Sequence, residues 1–195
     1  MRSIYKIVVC SLLTLSITSC EKDLLEKEQY QKEIYLIGAY NRVWTTEVSY
    51  SNEEVKTYFT VSSSGTLALD RDVNVKMKIN EELVDIYNKK YWTVLNEDKY
   101  YKSLDTDLYS IPSLENTVIK HAEGISTEVP VLIKTASLKI DQSYVIPVEI
   151  ESTTGYPVST SGYKMLVLLK LKNEYSGSYQ MSGHTTLEGE TPKTI

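Results

Sequence analysis

Val73-Asn74-Val75-Lys76-Met77-Lys78-Ile79-Asn80 decides the fold. Val73, Val75, Met77 and Ile79 alternate with Asn74, Lys76, Lys78 and Asn80. Successive side chains of a strand point to opposite faces, so a strict period of two with charges on alternate positions marks a half-buried antiparallel strand.

The same logic extends along the chain. Glu33 to Gly38 reads as a short strand, with Ile34 and Leu36 on one face and Tyr35 and Ile37 on the other. Glu54 to Ser62 alternates Val55, Thr57, Phe59 and Val61 against Lys56, Tyr58 and Thr60, and Ser62-Ser63-Ser64-Gly65 then breaks the pattern. Thr117 to Lys120 is a short strand followed by a turn at His121 to Gly124. Thr127 to Lys134 aligns Val129, Val131 and Ile133. Ser143 to Glu151 aligns Tyr144, Ile146, Val148 and Ile150. Tyr163 to Lys172 is the last and most apolar strand. Pro147 lacks a donor, so its strand is expected at an edge or with a bulge. About seven short strands separated by turn signals predict an all-β, immunoglobulin-like β-sandwich.

One short helix interrupts it. Asn80 suits an N-cap, Glu81 and Glu82 suit the positive N-terminus, and Lys89 and Lys90 suit the other end. Leu83, Val84 and Tyr87 share a face. Tyr91 to Leu95 is expected to be extended, and Asn96 to Asp107 reads as a polar, tyrosine-bearing loop.

The N-terminus has an export pattern. Arg2 and Lys6 form a basic start, and Ile7 to Ile17 is an apolar run of 11 residues, too short to span a membrane. Thr18 and Ser19 then precede Cys20. This resembles a bacterial lipobox, with Cys20 as the lipidated residue; an ordinary secretory signal with an incidental cysteine is the competing reading. Of the 2 cysteines, Cys10 would leave with the signal and Cys20 would carry lipid, so no thiol would remain for a disulfide, metal or nucleophile. The expected division is residues 1–19 as lipoprotein signal, 20–32 as lipidated tether, 33–173 as the sandwich, and 174–195 as the start of an absent or truncated C-terminal domain. Removing Arg2 and Lys6 from 21 cationic residues leaves 19 against 26 anionic ones, a formal charge of −7. An acidic chain argues against nucleic acid and anionic lipid as partners.

Catalytic signals are weak. His121 falls in a turn and His184 in the tail, and neither has the spacing of a triad or a metal site. Asp70-Arg71-Asp72 and Asp105-Thr106-Asp107 pair carboxylates, which could serve glycosidic cleavage or calcium, but they lack the calcium-loop pattern and read better as solvated turns. No catalytic residue and no cofactor is assigned. The chain has 16 Tyr, 2 Trp and 1 Phe. Trp44, in a polar stretch between the first two strands, and Trp92, Tyr100 and Tyr101 around the central loop are the carbohydrate-binding candidates, because aromatic rings stack on sugar faces and loops on a rigid scaffold carry binding. Trp92, beside Tyr91 and Val94, is read more readily as core.

Several pieces resemble a known family: Ile34-Tyr35-Leu36, Leu83-Val84-Asp85-Ile86-Tyr87-Asn88, Tyr91 through Tyr100, Tyr144-Val145-Ile146-Pro147-Val148, and Lys172-Asn173-Glu174-Tyr175-Ser176-Gly177. In order and spacing they are similar to the N-terminal domain, long of unknown function, of Bacteroidetes surface glycan-binding lipoproteins and chitinase-like endoglycosidases. Glu21 and Asp23 resemble the surface-export signal of such lipoproteins. The chain departs from the family at Leu95-Asn96-Glu97 and at Ile119 to Gly124, both in loops. The resemblance implies an immunoglobulin-like module, lipid-anchored in the outer membrane and facing the cell surface. Its partners would be the membrane, through the lipid, and a glycan or an outer-membrane uptake complex. Its function would be non-catalytic glycan capture for a polysaccharide-utilisation system. The alternatives are a structural spacer that holds a partner or a missing C-terminal domain off the membrane, and a remnant of an endoglycosidase precursor. A Cys20→Ala variant is expected to lose firm membrane association; fractionation of cells expressing it checks this.

Overall fold

The computed structural model describes residues 27–173 and 175–178, and the backbone alone of two short strands, His184–Thr185 and Lys193–Thr194. Cys20, the signal at 1–19, residues 20–26 of the tether, most of 174–195 and the His184 side chain lie outside the described residues.

Two sheets pack face to face. One holds β1 (Ile34–Leu36), β3 (Glu54–Ser63), β8 (Ser126–Lys134) and β6 (Tyr109–Ser110) in the spatial order β1-β3-β8-β6. The other runs β2 (Val43–Ser49), β10 (Lys164–Lys172), β9 (Tyr144–Thr153), β4 (Val73–Ile79), β7 (Thr117–Ile119), with β5 (Lys102–Ser103) also paired to β9. This is an immunoglobulin-type arrangement, in which the first strand is shared between the sheets as β1 and β2. The pair β11 (His184–Thr185) and β12 (Lys193–Thr194) forms its own antiparallel sheet.

Alternation along each strand explains the core. Val73, Val75 and Met77 of β4, Ile146, Val148 and Ile150 of β9, and Met165, Val167 and Leu169 of β10 face Phe59, Val61, Val129, Val131 and Ile133 of the other sheet, all almost fully buried. Lys76 and Lys78, on the opposite side of β4, pair with Glu151 and Glu149 of β9.

Thr135 closes one end of the sandwich. Its fully buried hydroxyl accepts from the Ser51 N–H at 2.9 Å and lies 3.1 Å from the carbonyls of Ser49 and Ser51. It thereby pins the β2–β3 connection to the end of β8.

Several expectations need correction. Trp44 does not lie in a polar stretch between strands; it sits in β2, which pairs in parallel with β10 from Leu166↔Val43 to Lys172↔Ser49. As the edge strand it buries Val48 alone, so it has no apolar alternation to read. Pro147 is not on an edge strand: β9 lies between β10 and β4. The ladder with β4 ends where Pro147 lacks its donor. The Asn80 N–H donates to the Pro147 carbonyl at 3.0 Å, while the Asn80 carbonyl accepts from Leu83 N–H at 3.1 Å and so begins the helix instead of continuing the sheet. A bulge does occur in β9, at Glu151, where the register shifts between Lys76↔Ser152 and Met77↔Ile150. Tyr91 to Leu95 is not extended as a whole. Helix α1 runs Glu82–Tyr91, Trp92 and Thr93 are extended, and 3-10 turns occupy Val94–Lys99. Within the expected loop, Lys102–Ser103 pairs in parallel with Tyr144 and Val145. Strand β3 runs one residue past the expected Ser62, to Ser63, because Ile34 pairs with it.

Thr135→Val keeps the side-chain shape and removes the hydroxyl. It is expected to cost about 1–3 kcal/mol, because the Ser51 N–H loses its acceptor; urea denaturation with an unchanged slope checks this.

Candidate functional site

Helix α1 lies on the face of the β2-β10-β9 sheet that turns away from the sandwich core. Leu83 and Val84 of α1 pack with Val145 of β9 and Leu166 of β10, and Val43, Tyr87, Tyr101 and Leu168 surround them. Alternation places Val145 and Leu166 opposite to Ile146 and Val167, so these strands are apolar on both faces where the helix covers them. Asn80 caps the helix: its Oδ1 accepts from the Glu82 N–H at 3.2 Å. Lys89 and Lys90 occupy the last turn, the favourable end for cations. Buried Asn88 fixes the far side. Its Nδ2 donates to the Tyr101 carbonyl at 2.9 Å, and its Oδ1 accepts from the Tyr101 N–H at 3.0 Å.

Between this helix and a 3-10 turn at Ala39–Asn41 lies a cleft of about 410 Å3. Its apolar wall is Leu83, Ile86 and Leu166. Tyr40, Tyr87 and Tyr163 contribute rings, and Arg42, Thr160, Ser161 and Lys164 contribute polar groups. This volume and mixture suit a small polar ligand with an apolar face. The turn is shaped by Gly38, with φ of +90°. A Cβ there would also stand 2.7 Å from Trp44 Cε3, so the indole rests directly on the glycine.

None of the four aromatic candidates lines this cleft; Trp44 and Tyr101 back its walls, and Trp92 and Tyr100 are not brought to it. Trp44, 36 % exposed, backs the Gly38 turn that presents Tyr40. Tyr101 stacks on Tyr87, with centroids 5.2 Å apart and an interplanar angle of 11°, and Tyr91 meets the other side of Tyr87 at 4.5 Å. Burial first, and Tyr101 second, push the Tyr87 hydroxyl up to about 12, so it stays a neutral donor. Trp92 has a buried Nε1 without a partner, and Lys99 lies 5.7 Å from its ring. Tyr100 is half-buried at the end of the 3-10 segment. Tyr40, Arg42, Tyr163 and Lys164 were not anticipated; they are scattered in sequence, and the parallel pairing of β2 with β10 brings them together.

The polar groups of a second cleft and of the paired-carboxylate turns are engaged with one another. That cleft, of about 410 Å3, is lined by Glu28, Lys32, Leu67, Asp70, Tyr156 and neighbours. There Lys32 is held by Glu28 and by the Leu67 carbonyl. Asp70 is held by Arg71 and the Tyr156 hydroxyl, which keep its carboxyl well below the usual carboxylate range. Glu28 is lowered to about 2, first by Lys32 and then by the Thr66 N–H. His121 Nδ1 lies 2.6 Å from Asp72 Oδ1 on the surface, and this contact lowers the Asp72 carboxyl. Asp105 caps a turn by accepting from the Asp107 N–H at 3.2 Å. Among the described residues, no group of three or more His, Cys, Asp or Glu is placed to hold a metal ion, and no helix is long and apolar enough to cross a membrane.

A search of curated proteins returns no match. Solved structures share the fold. A Bacteroides ovatus protein of unknown function aligns with a TM-score of 0.60 at 19 % identity, covering 85 % of this chain and 56 % of its own. An auxiliary nutrient binding protein from Bacteroides thetaiotaomicron aligns at 0.54 and 16 %, covering 75 % and 47 %. The endoglycosidase EndoBT-3987 from the same genus, solved with a Man5GlcNAc product, aligns at 0.51 and 18 %, covering 71 % and 30 %. The chain thus spans about half or less of the length of these structures, and at such identities the likeness is one of fold. A family model described as an N-terminal domain matches residues 30–157, and a companion described as C-terminal matches residues 163–195. The second match begins inside the sandwich, one residue before β10. With most of its length under the first of these models, the chain belongs to that family, the one whose immunoglobulin-like N-terminal domain its sequence resembles.

Proposed function

We propose that this protein captures glycans, without cleaving them, as a lipid-anchored surface module of a polysaccharide-utilisation system. The observation that carries the reading is the cleft beside helix α1, where tyrosine rings stand next to hydroxyls and cations over an apolar wall. A sugar ring offers this same combination, with an apolar C–H face and a polar rim. Tyr40 is 66 % exposed, its ring tilted against Tyr35 with centroids 6.3 Å apart, whereas Tyr87 is fixed by Tyr91 and Tyr101. Trap and platform together fit retention of a ligand. Carboxylates paired with Lys or Arg on the surface do not fit proton transfer.

Trp44 and Tyr101 back the two walls in this proposal, and Trp92 and Tyr100 extend the aromatic surface beyond the helix. Glycan-related neighbours, a nutrient-binding protein and an endoglycosidase among them, support the setting. Cys20 would supply the outer-membrane anchor, with an uptake complex as the destination of the ligand.

A spacer role is favoured by one feature. Adjacent Val94 and Leu95 are 76 % and 93 % exposed on the turn after the helix, an apolar knob suited to a neighbouring domain.

Native affinity electrophoresis against a panel of polysaccharides separates these readings. Glycan capture predicts retardation of the mature protein by at least one polysaccharide, weakened about fivefold by Tyr40→Ala, equivalent to roughly 1 kcal/mol. Trp44→Ala is expected to weaken it less. Migration unchanged across the panel would leave the spacer standing.

A further inference from the structure

The cleft beside helix α1 has two cations, Arg42 and Lys164, among its lining residues and no carboxylate. Elsewhere on the sandwich several cations are paired with carboxylates, such as Lys76 with Glu151, Lys172 with Glu47 and Arg71 with Asp70. Arg42 and Lys164 form no such pair with any described residue. Lys164 instead rests over the Tyr163 ring, 4.8 Å from its centroid.

Arg42 is held in an unusual way. It has φ of +64° and ψ of −19°, the single non-glycine residue at positive φ among the described residues. This conformation favours Gly or Asn, so the turn itself gains nothing from an arginine side chain. The backbone fixes it on both sides. The Arg42 N–H donates to the Ala39 carbonyl at 2.8 Å, and its own carbonyl accepts from the Leu166 N–H at 2.8 Å. The turn thus fixes the backbone from which the exposed Arg42 side chain lines the cleft, and its guanidinium is a planar fork that matches a carboxylate with two parallel hydrogen bonds.

We propose that the cleft takes an acidic sugar, a hexuronate unit of an oligosaccharide, with Arg42 on its carboxylate and Lys164 as the second positive charge. Tyr40 then stacks on the ring face, while Ser161 and Thr160 serve its hydroxyls. The ligand is a short oligosaccharide rather than a long polyanion. The chain has a net charge of −5, and only a group that comes within a Debye length, about 8 Å in physiological salt, of the two cations feels their attraction above the general repulsion. This inference rests on the cleft being a glycan site.

Isothermal titration with three ligands of equal length tests it: an oligogalacturonate, the same oligosaccharide with its carboxyls reduced to alcohols, and a sulfated neutral oligosaccharide. The uronate is expected to bind at least about tenfold more tightly than its reduced form. Arg42→Asn, which suits the left-handed backbone and keeps the turn, is expected to abolish that difference. Lys164→Gln is expected to narrow it and does not touch the turn. Equal binding of uronate and reduced oligosaccharide overturns the acidic-sugar assignment while the glycan reading survives. Tighter binding of the sulfated ligand than of the uronate overturns the carboxylate specifically. Binding of none of the three overturns the inference, and failure of the polysaccharide panel as well would take the glycan reading with it.

Discussion

Everything distinctive about this sandwich depends on Val145 and Leu166 being apolar on the side of the sheet that faces away from the core. In an ordinary half-solvated sheet those positions would be polar. Here they need a cover, and helix α1 provides it with Leu83 and Val84. Burying aliphatic side chains of this size contributes about 1.5–3 kcal/mol each, enough to hold a helix of 10 residues that would not persist alone. The hydrogen bonds at Asn80 and Asn88 then fix where it lies. The helix does not cover the sheet as far as the turn at Ala39–Asn41, and the uncovered interval is the cleft.

The long strands were legible because their two faces differ. Val73 to Ile79, Glu54 to Ser63 and Ser126 to Lys134 each separate buried from exposed positions at a period of two. Where the environment does not alternate, the pattern is silent. Val43–Ser49 is an edge strand that buries one residue, so nothing in its composition distinguishes it from a polar loop. Lys102–Ser103 is too short to show a period. Of the two places expected for the Pro147 strand, the edge is wrong and the bulge is found, at Glu151. The missing donor of Pro147 does end a ladder, but inside a central strand, at the point where the partner strand turns into a helix.

The cleft was far less legible than the fold. Trp44, Tyr100 and Tyr101 attract attention because tryptophan and paired tyrosines stand out in a row of letters. The residues that line the cleft are ordinary ones: an arginine in a turn, a tyrosine before it, a lysine at a strand start. What makes them a group is a tertiary event, the parallel pairing that sets Val43 beside Leu166. No local periodicity encodes a contact between segments about 120 residues apart. Tyr87 was correctly placed on a helix face with Leu83 and Val84, but its role as one wall of a cleft follows only from what stands across from it.

That same pairing has a bearing on how the molecule comes into being. A chain emerging from the ribosome N-terminus first offers Val43–Ser49 no sheet neighbour until Lys164–Lys172 has followed. Closing so long a loop is entropically costly and slow. The pairs of β1 with β3, β4 with β7 and β3 with β8 need nothing beyond residue 134, so β2 is the strand that joins its sheet last. Since the cleft is built on that seam, its two walls come face to face only at this last step of assembly.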